Sequence, residues 1–214
     1  MNSPKRSIWL HPERVSCVQI VDQRALPHQV VIADITSSDE AAQAIQEMWV
    51  RGAPLIGAMA AFGYSLAALE AVEQGEDYFQ KQIAKLAASR PTAVNLQWAL
   101  DRQEKVSSGA SSFGERSQRA LKGAKEIVEL EVQISEAIGE HGLALIREKY
   151  QQKQETINIL THCNAGRMAT IEWGTATAPI YKAHQAGIPV HIWVDETRPR
   201  NQGARITAWD TGFA

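Results

Sequence analysis

The stretch Thr156–Glu196, TINILTHCNAGRMATIEWGTATAPIYKAHQAGIPVHIWVDE, decides how this chain folds. TINILTH (Thr156–His162) is a short apolar run with the length and composition of a buried strand. IPVHIWVDE (Ile188–Glu196) is a second one. Between them, TATAPIYKAHQAG reads as a helix, with Pro179 in its first turn and Gly187 at the C′ position. A strand, a loop, a helix and a strand in so short a span predict a parallel pair crossed by a helix, hence an α/β layer. Ligands in such sheets bind beyond the carboxyl ends of the strands. Cys163 falls at that end of the first strand, and the second strand delivers DETRPRNQGAR to the same edge. Main-chain N–H groups and a helix N-terminus after Cys163 would favour an anion and lower a thiol's pKa. Polar density of this kind suits a small, phosphorylated, polyhydroxylated ligand. A plainer reading stands beside it. A lone cysteine after a strand can be a small buried hydrophobe, and the arginine-rich loop can be only a solvated turn. The residues alone indicate a small-molecule α/β protein and leave catalysis open.

Working outward, two strand-like runs open the chain, Val15–Asp22 and Gln29–Ile35, joined by QRALPH. Ser37 to Glu40 reads as an S-x-x-E capping box before the helix DEAAQAIQEMWV. RGAP then ends that helix, with Gly52 as its cap and Pro54 opening the next. From Gly52 to Leu69 the chain carries no charge, which is near the length of a membrane span. The run is rich in Ala and Gly and tightly flanked by Arg51 and Glu70. Leu55, Met59, Phe62, Leu66 and Leu69 fall on one helical stripe, so a core helix is expected rather than a span. A helix follows over YFQKQIAKLAAS, then another over RPTAVNLQWALDRQEKV with Thr92 as N-cap. Ser107–Ser117 is the best loop or linker. Leu121 to Tyr150 is helical, with an apolar side of Leu121, Ala124, Val128, Ile134, Ile138 and Leu145 and a break near Gly139 or Gly142. The expected fold class is α/β. A mainly helical N-terminal domain with a small β element (1–118) precedes the first part of a Rossmann-like parallel-sheet domain (119–214).

The composition is that of an ordinary globular protein, 44% hydrophobic and 21% charged over 214 residues. A net charge of -2 gives no electrostatic case for nucleic acid or an anionic membrane. The two cysteines, Cys17 and Cys163, lie far apart and make no disulfide framework, which fits a reducing, cytoplasmic setting. No apolar h-region follows Lys5 and Arg6, so no signal peptide is expected. The histidines show no ligand spacing, and no metal is expected.

VDQRALPH, VRGAPLIG, RPTAVNLQWAL, THCNAG, GTATAPIYKAH and DETRPRNQGARITAW occur in this order. Together they closely resemble the methylthioribose-1-phosphate isomerases. These share a superfamily with the regulatory subunits of a translation initiation exchange factor and with ribose-1,5-bisphosphate isomerase. The resemblance runs from about Trp9 to Trp209. It implies an aldose–ketose isomerisation in methionine salvage, from 5-methylthioribose 1-phosphate to 5-methylthioribulose 1-phosphate. It also implies no cofactor and a homodimer in the full-length family. Carried over by position, Arg51, Gly52 and Ala53 match the substrate-binding turn. Arg90 and Gln202 match two further substrate contacts. Cys163 matches the cysteine that stabilises the transition state. The regulatory subunits generally lack that cysteine, so its presence favours the enzyme branch. The alternative is a non-catalytic regulatory or sugar-phosphate-binding member of the same superfamily.

One departure weighs against the matches. The resemblance places the proton donor, an aspartate, and a following Asn-Lys pair on later strands, and neither occurs in these residues. Asp210 sits where the family often has Glu and is not that donor. The expectation is therefore a truncated and catalytically impaired isomerase, with apolar sheet faces left uncovered.

Overall fold

A computed structural model describes residues 4–198 and 200–212. Three short antiparallel strands open it: β1 (Ile8–Leu10), β2 (Val18–Val21) and β3 (Ile32–Ile35), in that order across the sheet. The sequence reading placed two strands here and missed β1, whose three residues are too short for an alternation to show. The pairing of β2 with β3 is as expected, with Val18 opposite Ile35 and Val21 opposite Ile32.

Helix α1 (Ser38–Gln46) starts at the expected capping box. Ser37 Oγ accepts from Glu40 N, and the Glu40 carboxylate accepts in return from Ser37 N. It ends earlier than expected. Met48 takes a positive φ of 61°, and a turn over 47–50 leads to Arg51. Gly52 is therefore not a C-cap. It is the N-cap of α2 (Ala53–Gln74), with φ 95°.

Helix α2 is buried on every side, not along one stripe. Each residue from Leu55 to Ala68 is buried, while Leu69, assigned to the stripe, is 43% exposed. Its small residues let neighbours approach closely. A Cβ at Gly63 would lie 2.8 Å from Leu86, and one at Gly57 3.0 Å from the Asn95 carbonyl. α2 is long and apolar enough to cross a membrane, and 83% of its most apolar window is buried inside the protein.

The surrounding shell is α1, α3 (Glu76–Ala88), α4 (Val94–Ser107) and α5 (Phe113–Lys153). Within it Phe79 meets Tyr64 edge-on and Phe113 at a tilt, and Arg116 lies 4.7 Å over the Phe79 ring. α4 starts two residues after Thr92, and its N-cap is Ala93 with no side-chain bond. The Ser-rich loop is only 108–112, capped by Ser112 Oγ onto Glu115 N.

α5 is one continuous helix of 41 residues, without a break at Gly139 or Gly142. Those glycines seat α7 (Ala178–Gln185). A Cβ at Gly142 would lie 2.3 Å from the Pro179 ring, and one at Gly139 3.0 Å from Lys182. Its buried line runs through Ala120, Ala124, Ile127, Val128 and Val132, while Ile134, Ile138 and Leu145 face solvent. The 118/119 division falls inside this helix. Its first half packs on α2 and its second half carries α7, so we retain the two-part division only as a proposal.

The parallel pair is as the opening stretch predicts. β4 (Ile157–His162) and β5 (Val190–Asp195) align from Ile157–Val190 to His162–Asp195. Between them lie α6 (Arg167–Thr170) and α7, with Gly187 at φ 74° after α7. One face covers Leu143, Ala183 and Ile188, and the other is open. The N-terminal segment straps this region to the helical core. Ser7 N donates to Ile171 O, and Arg6 bridges Glu129 and Glu172.

Candidate active site at the sheet edge

Past the carboxyl end of β4, Cys163 adopts φ 62°, and its N–H donates to Asp195 O at the end of β5. Its own carbonyl accepts from Thr207 Oγ1. Thr207 closes a π-helical turn, Gly203–Thr207, which follows Gln202. Such turns are rare and recur at functional sites. The Glu196 carboxylate fastens the start of this turn by accepting from the main-chain N–H groups of Thr197, Gly203 and Ala204. Burial works against the charge, but those bonds hold the Glu196 carboxyl below its ordinary range. Gln202 Oε1 accepts from Thr197 Oγ1. The loop thus hangs on the Cys163 segment through Thr207 and on the end of β5 through Glu196.

The Arg51–Gly52–Ala53 turn meets the same segment from the other side. A Cβ at Gly52 would lie 2.4 Å from the Ala169 carbonyl, so only glycine lets the turn press this closely on α6. Arg51 is half-buried. Its Nε donates to Met48 O, and among the described residues it makes no ion pair. Burial holds its guanidinium below the ordinary value. Arg200, Arg205 and Arg90 push the same way, with Asp22 opposing. Arg90 precedes the uncapped N-terminus of α4, as Arg51 precedes that of α2. Gly57, in the second turn of α2, packs on Asn95 in the first turn of α4. Arg51 thus feels three other arginines and stands beside the first main-chain N–H groups of α2, an arrangement that favours an anion.

The structure therefore sets the Arg51–Gly52–Ala53 turn against α6, and Arg90 acts on Arg51 only as the weakest of the charges around it. It places Cys163 and Gln202 on the other side of the Gly52–Ala169 contact. The sequence reading gave Arg200 and Arg205 no separate role. Their effect on Arg51 arises from tertiary placement and has no local signal. Four non-glycine residues with positive φ lie in the segments that carry the candidate residues: Met48, Cys163, Ile171 and Asn201. Left-handed backbone at a β-branched residue such as Ile171 is strained, and such strain gathers at functional sites.

Asp210 is not a free acid here. Its carboxylate accepts from Arg167 Nε and from the Tyr181 hydroxyl, and burial pushes it up. Beside it lies a cavity of 620 Å³ bordered by Trp173, Tyr181 and Trp209. Among the described residues no group of three or more His, Cys, Asp or Glu could hold a metal.

Residues 49–212 match the family model described as the Initiation factor 2 subunit family. The methylthioribose-1-phosphate isomerase of Paramagnetospirillum magneticum is 51% identical over 206 residues, 96% of this chain and 56% of that protein. That of Cereibacter sphaeroides is 49% identical over 212 residues, 97% and 56% of the two lengths. The chain thus spans about half the length of the relatives it matches. Among solved structures, the 5-methylthioribose 1-phosphate isomerase of Pyrococcus horikoshii superposes with a TM-score of 0.84 at 34% identity. It covers 99% of this chain and 58% of the other. The delta subunit of translation initiation factor eIF-2B from A. fulgidus gives 0.82 at 33% identity, covering 97% and 59%.

Proposed function

This chain belongs to the Initiation factor 2 subunit family, and from its similarity to the methylthioribose-1-phosphate isomerases we propose that it carries the sugar-phosphate site of such an enzyme. The substrate is 5-methylthioribose 1-phosphate, and the product is 5-methylthioribulose 1-phosphate. The carrying observation is Arg51: half-buried, without an ion pair among the described residues, and pressed by three more arginines. A phosphate dianion relieves that repulsion and accepts from the N–H groups of Gly52 and Ala53. Arg90 closes on it from α4. Gln202, on the opposite loop, orients the sugar hydroxyls. Cys163, at the edge between them, assists the hydrogen transfer between C1 and C2.

The phosphate blocks the anomeric oxygen, so ring opening needs an acid to protonate the ring oxygen. We propose no residue of this chain for that role. Asp210 is buried in an ion pair with Arg167, and the Glu196 oxygens already accept three main-chain N–H groups. On this reading the chain binds and orients the substrate, and neither Asp210 nor Glu196 is the donor. The eIF-2B delta subunit shares the fold, so the fold alone does not choose between enzyme and regulator. Cys163 supports the enzyme reading. Two free thiols support a reducing, cytoplasmic setting. The homodimer rests on the resemblance alone.

Calorimetric titration with 5-methylthioribose 1-phosphate tests the site. Arg51→Ala weakens binding by about tenfold to a hundredfold, the size of lost charge-assisted hydrogen bonds, and leaves the melting temperature unchanged or higher. Cys163→Ser keeps binding. Turnover by the 214-residue chain comparable to that of a full-length relative would overturn the reading of the missing donor.

A further inference from the structure

The proposed chemistry gives the motif VDQRALPH no task. Gln23 lies in it and is 1% exposed. Its main-chain N–H donates to Trp49 O at 2.9 Å, and its side-chain Nε2 donates to Met168 O at 2.6 Å. Trp49 stands two residues before Arg51. Met168 stands immediately before Ala169, the residue on which Gly52 presses. Gln23 thus grips the chain on both sides of the close approach between Gly52 and Ala169, which sets the arginine turn against the segment after Cys163.

Its surroundings make that grip rigid. Val21 and Leu26, on either side in sequence, form a small core with Met168 and Ile206. Arg24 stacks on Trp49 at 4.2 Å and pairs with Asp22 and Glu47. Gln23 Oε1 is buried without a partner among the described residues. A buried amide with an unmet acceptor is unfavourable, so shape-filling alone does not explain a glutamine there. The bond that remains is the bridge to Met168.

We propose that Gln23 is a positioning residue that sets the spacing between the Arg51–Gly52–Ala53 turn and the Cys163 loop. This rests on the sugar-phosphate reading of that site. Gln23 touches no substrate. It fixes the two main-chain segments that do, so its loss loosens the loop and leaves the helical core intact.

The test uses Gln23→Leu, which keeps the volume and removes the bridge. Two readouts are taken: amide hydrogen exchange, and titration with 5-methylthioribose 1-phosphate. Exchange across 163–171 is expected to rise roughly fivefold to tenfold, the size of one buried hydrogen bond, with α2 and α5 unchanged. Affinity is expected to fall by a similar factor. Unchanged loop exchange overturns the proposal, and so does an equal rise throughout α2 and α5, which marks a general stability residue. If the unmodified chain binds no ligand, the site reading fails, and the exchange readout still judges Gln23. Should Gln23→Leu not fold, NMR of the unmodified chain decides. The Gln23 side-chain amide protons are expected to be exchange-protected and close to Met168, and rapidly exchanging protons would refute the bridge.

Discussion

α2 and the β4–β5 pair are both apolar, but they are held in different ways. α2 has neighbours on every side, and no residue from Leu55 to Ala68 is exposed. The parallel pair has one covered face. On the other, Leu160 and Trp193 are cross-strand partners that are 65% and 57% exposed. The helical region is therefore stabilised by burial in a closed shell. The parallel pair is stabilised through a single layer, the second half of α5 with α7. The candidate site lies on the seam, taking Arg51 and Arg90 from the closed region and Cys163 and Gln202 from the open one. Local stability should be graded across that seam.

The largest expected effect is inside the shell. Phe79 packs edge-on to Tyr64 at 5.3 Å between ring centroids and carries Arg116 on its face. Phe79→Ala is expected to destabilise by ~3–5 kcal/mol, read as a lower urea midpoint with an unchanged slope. A loss below ~1 kcal/mol would mean that the shell relaxes around the hole, and that it is less closed than its burial indicates.

The next effect separates the two regions. Gly142→Ala puts a methyl group 2.3 Å from the Pro179 ring, so α7 must lift from α5. The expected cost is ~1–3 kcal/mol. Amide exchange should rise in β4, α7 and β5 while α2 keeps its protection. If α2 loses protection in step, the regions unfold as one unit and the contrast fails.

Gly139 and Gly142 show where the sequence was legible and where it was not. The parallel pair could be read because its strands are short apolar runs bounded by turn residues, and Pro179 and Gly187 bracket the helix between them. Gly139 and Gly142 read as breakers because, in isolation, glycine weakens a helix. In the fold their missing side chains are what let α7 dock. Thr92 looked like a cap, yet the helix begins after Ala93, with no side-chain cap, and Ala93 N donates to Arg90 O instead. Ile134 and Ile138 fit an apolar periodicity but sit beside, not on, the line that meets α2. Arg51, Cys163 and Gln202 could be singled out by motif. The bridge from Gln23 to Met168 joins residues far apart in the chain and has no local signature.

A smaller effect compares two carboxylates that each fasten the start of a turn or helix. Glu115, at the start of α5, accepts from Ser111 N–H and hydroxyl and from Arg119, and is held at about 2. Glu196, in the open region, is also lowered, with burial opposing its three main-chain bonds. Both folded values lie below the unfolded one, ~4.3 for glutamate. Each contribution is therefore complete above that value and is lost as pH falls through the folded value. The 196–207 loop should release first on acidification, while the start of α5 holds until pH approaches about 2. Residue-resolved NMR titration would show the order. Simultaneous release would contradict it.

The smallest effect is on the open face, and it is the sharpest check on the comparison. Trp193 Nε1 donates to Asn158 Oδ1, and the indole meets His191 edge-on at 4.6 Å. These contacts lie on the solvent side, where ring pairs and hydrogen bonds compete with water. Trp193→Ser should therefore change stability by no more than ~0.5 kcal/mol. It should also reduce self-association, because a large exposed apolar side chain beside unpaired strand edges invites it. Urea unfolding and light scattering together decide the point. A loss comparable to that of Gly142→Ala would show that this face is not open in solution. The parallel pair would then be enclosed as α2 is.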